Sequence, residues 1–547
     1  MDNVERGKMP SIYVETLGCK INQYESACVL ESFLQNGFQR SNDIKTADII
    51  VINTCTVTNR SDYKSRNLIK KAENLKELNQ AVKIIVTGCY SQRNKDEVIS
   101  SGLVDLIVDN NQKDKIFSLV TSYKLQEISP PPPLLQSHNP YRDIQGKIDN
   151  LLMGGRMKDT SVLSSHSISQ SEIGTTRGMQ WVEAECFKEF SDLNTSSMGD
   201  RSRAFLKIQD GCDFYCSYCA VPFARGKPRS RSVDSTLKQV EYFSSTGYEE
   251  IVLSGVNLGL YSSDGHDLAD LLYKLSEFDD LKRIRLSSLE PQLLTDKLLQ
   301  AIDEIPKICR HFHIPLQSGS NELLKIHNRK YTVEDVERVV SKLQITNYLS
   351  LAQGVKSQIL PPPTPPINVG GASLPINVGE GQKVSAIGFD VIVGLPGETE
   401  ELFEETYKFL EKLDFTYLHV FIYSKRKGTI AASMKGQVNG KIAKERSKRL
   451  LELSQNKKKV FFEKLIENQI PLFAQKEGYD KEKKMWYGTS DRYVKVYVRV
   501  TSYKLQDKSY KIQDTRLPSI SQSEIGTTKK LLPKSIFFDG VLCEEIE

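Results

Sequence analysis

Three cysteines stand at the spacing CxxxCxxC in one short loop, at Cys212, Cys216 and Cys219. Thiolates from a single loop can reach three corners of a cubane iron–sulfur cluster, which leaves the fourth iron open to bind another molecule. Zinc is the alternative, but a structural zinc site takes four ligands in a closed tetrahedron. The nearest downstream histidine is His266, and no fourth cysteine lies close by in the sequence. The ligand count therefore favours a [4Fe–4S] cluster with one open iron.

A second set of cysteines, Cys19, Cys55 and Cys89, follows three strand-like runs: YVETLGC, IIVINTC and IIVTGC. The C-terminal ends of neighbouring parallel strands share one edge of a sheet, so these thiols are expected to meet. A single cysteine at such a place is more often a small buried apolar residue. Three at equivalent positions favour a second metal site. The remaining cysteines match no motif and are interpreted as structural: Cys28, Cys186, Cys309 and Cys543.

Strand-like and helix-like segments alternate in two stretches of the chain. In the first stretch the strand-like runs are Ile12–Leu17, Asp48–Asn53, Lys83–Thr87 and Val104–Val108. In the second they are Ala204–Ile208, Glu250–Leu253, Arg283–Ser287, His311–Leu316, Ile387–Val393 and His419–Tyr423. This alternation predicts an α/β fold with parallel sheets. We expect an α/β domain over residues 10–120 and, over 201–440, a partial (β/α)6 barrel or an open curved sheet, with function at the C-terminal strand ends.

The end of the chain has a different pattern. Tyr493–Val500 (YVKVYVRV) alternates with period two, which predicts one strand of a small β-domain over residues 471–547. Residues 441–470 are expected to form a basic helical connector. Between Lys425 and Glu467 there are thirteen Lys and Arg residues against four Glu, a local charge of +9. Such a run is either a solvated helix face or a surface for a polyanion.

Three segments have the composition of inserts: 121–200, 345–384 and 501–535. The first and third share TSYKLQ and SISQSEIGTT, and the second contains PPPTPP and a repeated PINVG. These low-complexity segments are predicted to lack a packed core.

Membrane and secretory signals are missing from the sequence. No apolar run approaches the roughly 18 residues of a membrane span, and the first residues have no apolar signal core. We expect a cytoplasmic protein with reduced thiols, in which ten cysteines point to metal or catalysis rather than disulfides.

The CxxxCxxC loop, with Tyr218 before the last cysteine, resembles the radical S-adenosylmethionine (SAM) superfamily. Its extension CAVPFARGKPRSR, residues 219–231, is similar to the methylthiotransferase branch. The resemblance implies that Cys212, Cys216 and Cys219 are catalytic and that the open iron binds the amino and carboxylate groups of SAM. It implies SAM contacts at the strand ends, where glycines let the backbone approach a ligand. The expected SAM-binding residues are Tyr218, Gly255, Asn257, Ser287, Glu290, Gln317 and Gly394.

Methylthiotransferases also carry three N-terminal cysteines that bind a second [4Fe–4S] cluster. The matching motifs here are TLGCKINQYES at 16–26, NTCTVT at 53–58 and GCYSQ at 88–92. The resemblance therefore implies an auxiliary cluster on Cys19, Cys55 and Cys89 that supplies or relays sulfur. An electron donor of the flavodoxin or ferredoxin type is expected to reduce the clusters.

The motifs most resemble the branch that modifies threonylcarbamoyladenosine beside the tRNA anticodon. The isopentenyladenosine branch has Gln-Met-Asn after the first cysteine, where this chain has Lys20-Ile21-Asn22. The expected product is 2-methylthio-N6-threonylcarbamoyladenosine at position 37 of the anticodon stem-loop. Isopentenyladenosine, a ribosomal protein side chain, and an inactive iron–sulfur or zinc RNA-binding protein remain as alternatives. We expect a monomer.

Two sets of basic and aromatic residues are expected to contact RNA. Aromatic rings can stack on bases while basic groups meet phosphates. The predicted RNA-binding residues are Arg225, Arg229, Arg231, Tyr493, Lys495, Tyr497 and Arg499. For the strand, a solvated polar face remains the alternative. In the family this region is a TRAM domain, a small RNA-binding β-barrel, and the insert at 501–535 is expected to interrupt it.

Overall fold

A computed structural model describes residues 9–122, 173–176, 179–182, 189–199, 201–344, 384–499 and 528–546. The proline run at 130–133, the PPPTPP segment and Cys186 lie outside these residues. No helix in the described ranges is both long and apolar enough to cross a bilayer.

The first sheet has seven strands, and its central strands are parallel, as predicted. In spatial order the strands are Gln39–Arg40, Ser11–Thr16, Ile49–Thr54, Lys83–Gly88, Leu106–Val108, Met179–Val182 and Ile173–Thr176. The strand Ile49–Thr54 is buried along its whole length, because helices cover both faces of the sheet. The helices in this part of the chain are Lys20–Leu34, Asn59–Leu78, Cys89–Arg93, Lys95–Ser100 and Ile116–Ser122.

All six strands predicted for the barrel are present. They form two parallel three-stranded sheets made of Ala204–Lys207, Glu250–Ser254 and Arg283–Leu286, and of His311–Gln317, Ala386–Val393 and Tyr417–Ile422. A parallel bridge between Ile284 and Ile308 joins the two sheets. Short strands Gln209–Asp210, Arg229–Ser230, Ser262–Ser263 and His266–Asp267 flank them. The result is the partial (β/α)6 barrel expected from the sequence.

Helices separate the barrel strands along the chain. They are Val221–Arg225, Val233–Ser245, Leu268–Ser276, Asp296–Glu304, Asn321–Ile326, Val333–Gln344, Glu400–Lys412 and Ile430–Ser433. Several begin at a side chain that accepts a backbone N–H, as Ser232, Thr295 and Thr399 do. The longest helix of the described chain, Gly440–Glu467, has 28 residues and leads from the barrel to the last sheet.

The C-terminal sheet has six strands and curls on itself. Their spatial order is Leu472–Gln475, Thr528–Phe537, Gly540–Glu545, Lys495–Arg499, Met485–Thr489 and Gly478–Asp480. An antiparallel bridge between Ala474 and Ser490 draws the first strand toward the turn after the fifth. The predicted alternation holds for Val496 and Val498, which are buried in the core of this sheet.

Parts of the predicted inserts are ordered elements, which corrects their boundaries. Residues 528–535 of the third insert belong to the strand Thr528–Phe537, so the C-terminal sheet is completed beyond the insert. Strands 173–176 and 179–182 of the first insert extend the first sheet. Leu193 and Met198 pack into the barrel core. Composition alone misplaced these edges because the strands are ordered by pairing with distant strands, which composition does not reveal.

Candidate iron–sulfur and S-adenosylmethionine site

The loop bearing Cys212, Cys216 and Cys219 is held tightly against the segment that follows it. The Cys212 N–H donates to the Gly226 carbonyl at 2.9 Å. Gly211 has φ +75°, and a side chain there would place its Cβ 2.0 Å from the Lys227 carbonyl oxygen. Only glycine fits this backbone without displacing its neighbour.

Burial and mutual repulsion shape the protonation of the three thiols. Burial, with a smaller contribution from the charge of Cys216, raises the pKa of Cys212 to about 11 and that of Cys219 to about 12. Compensating groups also point at the sulfur atoms: Arg329 Nη1 donates to Cys216 Sγ at 3.1 Å, and the Val221 N–H donates to Cys219 Sγ at 3.4 Å. Groups that stabilise thiolates at these places fit a bound metal cluster, whose binding must displace the thiol protons.

The spacing of the sulfur atoms argues against a single zinc ion. The described residues include both cysteine sets. Among them, only one group has three or more possible metal-ligand atoms within 4.8 Å of one another, and that group contains no cysteine. At least one sulfur pair in each set is therefore more than 4.8 Å apart. Tetrahedral zinc, with Zn–S bonds of about 2.3 Å, would hold its sulfur atoms about 3.8 Å apart. A cubane is larger and fits the wider spacing.

Polar groups with unused hydrogen-bonding capacity surround the loop at the strand ends. Within the described chain, Gln317 Oε1 and the Tyr218 hydroxyl are buried without a hydrogen-bond partner. The same holds for the Asn257 amide, which lies beside the Cys212 thiol. Gln317 has φ +63°, a left-handed conformation that is rare outside glycine. Such unsatisfied buried groups are costly unless a polar ligand binds them, and SAM carries matching amino and carboxylate groups.

The other expected SAM-binding residues, Glu290, Ser287, Gly255 and Gly394, are held in place by contacts within the protein. Glu290 is paired with Arg329; burial raises the pKa of its carboxyl, and the arginine opposes the rise. Ser287 Oγ accepts the Gly255 N–H at 3.3 Å. Gly394 lies against the long helix, where an added Cβ would be 2.7 Å from Ala443 Cβ. The chain at Gly394 is therefore constrained by packing against this helix.

The thiols of Cys19, Cys55 and Cys89 also come together, as their positions after three parallel strands predict. Gly18, with φ +102°, approaches Cys55 so closely that an added Cβ would be 2.6 Å from its sulfur. Burial raises the pKa of Cys55, and the neighbouring charges of Cys89 and Cys19 raise it further. The Asn110 amide donates to Cys89 Sγ at 3.8 Å.

The two cysteine sets face each other across one helix–helix contact. The helix Cys89–Arg93 packs against Val221–Arg225, which follows Cys219. Asn110 Nδ2 donates to the Ala224 carbonyl at 2.8 Å across the same contact. The same Asn110 amide donates to Cys89 Sγ at 3.8 Å, so one side chain links a thiol of the Cys19, Cys55 and Cys89 set to the helix that follows Cys219.

The structure corrects the RNA-binding prediction for three arginines. Arg225 is 2% exposed and lies within a cluster of buried ion pairs that includes Glu25 and Asp210. Arg229 also pairs with Asp210, at 3.6 Å, and Arg231 donates to the Tyr24 hydroxyl at 2.9 Å. All three side chains are buried and therefore do not form a basic RNA-binding loop.

The predicted RNA-binding strand is corrected in part. Tyr497 is 2% exposed and its hydroxyl donates to Asp539 Oδ1 at 2.8 Å, so its ring is not a stacking surface. Tyr493 precedes the strand, and its ring stacks on His311 at 4.5 Å. Lys495 is half-buried and Arg499 is exposed. Asp539, in the turn before the last strand, also lies 3.5 Å from Lys495 Nζ, so it engages the Tyr497 and Lys495 side chains of this face.

Several residues of the site carried no signal in the sequence. Arg329 contacts both Cys216 and Glu290 but is more than a hundred residues from the loop. Glu25 sits within the TLGCKINQYES motif, yet nothing in the motif shows that Lys113 and Lys207 pair with it. The available clue was an acidic residue, Glu25, in a helix-like segment beside a cysteine motif. If such a charge is buried, it requires partners of opposite charge.

Two family profiles match this chain. The profile described as Uncharacterized protein family UPF0004 matches residues 11–109, and the Radical SAM superfamily profile matches residues 206–349. They cover the parts that contain the first and second cysteine sets.

Curated relatives span most of the chain. The Threonylcarbamoyladenosine tRNA methylthiotransferase MtaB of Bacillus subtilis is 34% identical over 90% of this chain and 91% of its own length. The MtaB protein of Aquifex aeolicus is 32% identical over 82% and 89%. The tRNA-2-methylthio-N(6)-dimethylallyladenosine synthase of Thermoanaerobacter pseudethanolicus is 31% identical over 83% and 79%.

A solved structure with a similar chain path is that of the radical SAM methyltransferase TsrM from Kitasatospora setae, with 13% identity and a TM-score of 0.49 over 78% of this chain and 77% of that one. The family of this chain is assigned instead from the curated relatives, which are more than 30% identical to it over most of their length. Radical SAM enzymes use SAM and a [4Fe–4S] cluster, which the loop with Cys212, Cys216 and Cys219 fits. The chain belongs to the radical SAM methylthiotransferase family.

Proposed function

We propose that the protein is a tRNA methylthiotransferase that acts on C2 of N6-threonylcarbamoyladenosine at position 37. The observation that carries the proposal is the closeness of the two cysteine sets: Asn110 Nδ2 donates to Cys89 Sγ at 3.8 Å and to the carbonyl of Ala224, in the helix after Cys219, at 2.8 Å. Attaching a methylthio group to an unreactive carbon requires both a radical and a sulfur source. Two facing cluster sites supply these within reach of one substrate.

At the first site, SAM and its cluster supply a 5′-deoxyadenosyl radical when bound, and the protein positions and shields them. Arg329 holds the Glu290 carboxylate and the Cys216 sulfur in place, because its guanidinium donates to both. The free polar atoms of Gln317, Asn257 and Tyr218 are then available to bind the amino and carboxylate groups of SAM.

At the second site, Cys19, Cys55 and Cys89 would hold an auxiliary [4Fe–4S] cluster that provides sulfur. Cys19 is the exposed member, whereas Cys55 is buried. This arrangement leaves one side of the site open while burying the other against the first sheet. An external flavodoxin- or ferredoxin-like protein would deliver the electrons.

The C-terminal residues 471–547 would bind the anticodon stem-loop, but through other residues than those chosen from the sequence. Phe538 is 71% exposed, and Lys483 Nζ lies 4.8 Å above its ring. An exposed ring beside a cation can stack on a base while the cation meets a phosphate. The long helix adds exposed cations at Lys441, Lys444, Lys448 and Lys459.

The proposal is tested by reacting the anaerobically reconstituted enzyme with SAM, a reductant and two purified tRNAs. One carries N6-threonylcarbamoyladenosine and the other isopentenyladenosine at position 37. We expect a methylthio group on the first only, detected by nucleoside mass spectrometry. Modification of the second tRNA alone would assign the enzyme to the isopentenyl branch. Modification of neither, with intact SAM cleavage, would contradict a tRNA substrate.

A further inference from the structure

A histidine–aspartate–histidine group lies on the barrel wall, formed by residues that the proposed reaction does not use. His313, Asp390 and His419 come from three neighbouring parallel strands. Asp390 is paired with His419 in strand register, and His313 is paired with Gly388, two residues earlier on the same strand as Asp390. The three side chains therefore point from the same face of the sheet.

Their ligand atoms converge on a small volume. His313 Nε2 is 2.9 Å and His419 Nδ1 is 3.3 Å from the same oxygen, Asp390 Oδ1. All three ligand atoms lie within 4.8 Å of one another. Two imidazoles and one carboxylate bound to zinc, at about 2.0–2.1 Å each, would hold their ligand atoms about 3.3 Å apart. Only small shifts would be needed to bind an ion.

A further side chain orients this group. The Tyr417 hydroxyl is 3.4 Å from His313 Nδ1 and 2.7 Å from His311 Nε2. Its ring occupies the space above Gly388, where an added Cβ would be 2.2 Å from Tyr417 Cζ. A group bound to the second nitrogen of a histidine fixes its tautomer and orientation, which is the usual support of a metal ligand.

We propose that His313, Asp390 and His419 bind one divalent transition-metal ion of the zinc class. Two imidazole nitrogens and one carboxylate oxygen are the donor set of many zinc sites that keep an open position. The site is partly accessible: the His419 side chain is 51% exposed and that of Asp390 is 22% exposed. This site is separate from both cysteine sets.

The test uses the full-length enzyme with both cysteine sets loaded with iron and sulfide, so that the thiols do not take up zinc. The protein is dialysed anaerobically against a series of buffered free zinc concentrations, and zinc and iron per chain are measured by mass spectrometry. We expect one zinc ion per chain. His419→Gln and Asp390→Asn should each weaken zinc binding by more than about 100-fold, and Tyr417→Phe by about 10-fold. Iron content should stay unchanged.

His266→Gln is the matched control, because this partly exposed histidine lies on a short strand outside the group. Its zinc binding should equal that of the parent. Because His419 is half-exposed, its variant is expected to fold even if Asp390→Asn does not. Absence of saturable zinc binding, or equal binding by His419→Gln and the parent, would overturn the proposal and leave these residues as a hydrogen-bonded network.

Discussion

Arg225 Nη1 lies 3.1 Å from Glu25 Oε1, and this ion pair joins the short helix after Cys219 to the helix after Cys19. Both groups are buried, and Lys113, Lys207 and Asp210 complete the ion cluster around them. Burial opposes the ionised form of Glu25, but Arg225 and the two lysines hold its pKa well below the ordinary value. The positive residue that the sequence assigned to RNA therefore fixes the two cysteine sites relative to each other.

Arg225→Gln should strongly destabilise the protein. Removing the guanidinium leaves Glu25 and Asp210 short of positive charge in a buried place, which costs about 3–5 kcal/mol. We expect a clearly lower thermal unfolding midpoint, measured by circular dichroism on anaerobic protein.

Lys297→Gln is the control for this loss, because Lys297 pairs with Asp270 at 2.7 Å on the surface. Exposed ion pairs contribute little to stability because solvent screens them, so this midpoint should barely move. An Arg225→Gln protein with unchanged stability but weakened tRNA binding would restore the RNA-binding interpretation.

Substitutions in the two cysteine sets should stop different steps of the proposed reaction. Cys216→Ala would remove a proposed ligand of the cluster that activates SAM, and should abolish SAM cleavage. Cys55→Ala would remove a proposed ligand of the auxiliary cluster, and should preserve SAM cleavage while stopping methylthiolation. Deoxyadenosine and modified nucleoside are quantified in the same reaction. Methylthiolated product from the Cys55 variant would contradict the auxiliary assignment.

The protein should become less stable in acid because Glu250 becomes protonated. The two carboxylate oxygens of Glu250 lie 2.7 Å from Arg283 Nε and from Arg285 Nε. Burial opposes its ionisation, but these arginines lower the pKa of Glu250 from 4.5 to about 2. A lowered carboxyl pKa adds stability above the unfolded value of about 4.5, and this stability is lost between about pH 4.5 and 2. The contribution is about 3 kcal/mol at neutral pH.

Thermal unfolding of the parent and of Glu250→Gln from pH 6 to pH 3 measures this contribution. The parent should be the more stable at pH 6, and the gap should narrow as the pH falls. A gap that stays constant over this range would show that Glu250 does not titrate as described.

Phe538→Ala should weaken binding of the anticodon stem-loop. Loss of a base–aromatic stack costs about 1–3 kcal/mol, which corresponds to a roughly 5- to 150-fold higher Kd. Filter binding at one fixed salt concentration measures it, since salt alone changes such affinities. Tyr242→Ala, an exposed aromatic of a barrel helix, should leave the Kd unchanged. Equal effects of both variants would exclude a specific role for Phe538.

Local patterns were sufficient to predict the scaffold. Apolar runs gave all six barrel strands, and the position of Cys19, Cys55 and Cys89 after parallel strands predicted their convergence. Such features depend on neighbours in sequence and on the shared edge of a parallel sheet. The alternation around Val496 and Val498 likewise identified a strand with one buried face.

Contacts between residues far apart in the chain could not be predicted from the sequence. Arg225 and Phe538 illustrate this, because a basic loop residue became buried and an aromatic at a turn became exposed. Partners such as Glu25 lie two hundred residues away, and no local rule relates them. The ordered parts of the inserts were missed for the same reason, since their composition hides the pairing that orders them.

Nucleoside analysis of tRNA from living cells tests the central claim most directly. The chain is expressed in a host that lacks its own threonylcarbamoyladenosine methylthiotransferase, beside the Cys55→Ala variant and an empty vector. We predict that 2-methylthio-N6-threonylcarbamoyladenosine appears only with the parent chain, while isopentenyladenosine derivatives stay constant. Failure of the parent chain to form this nucleoside, although it is expressed and loaded with iron, would contradict the proposed activity.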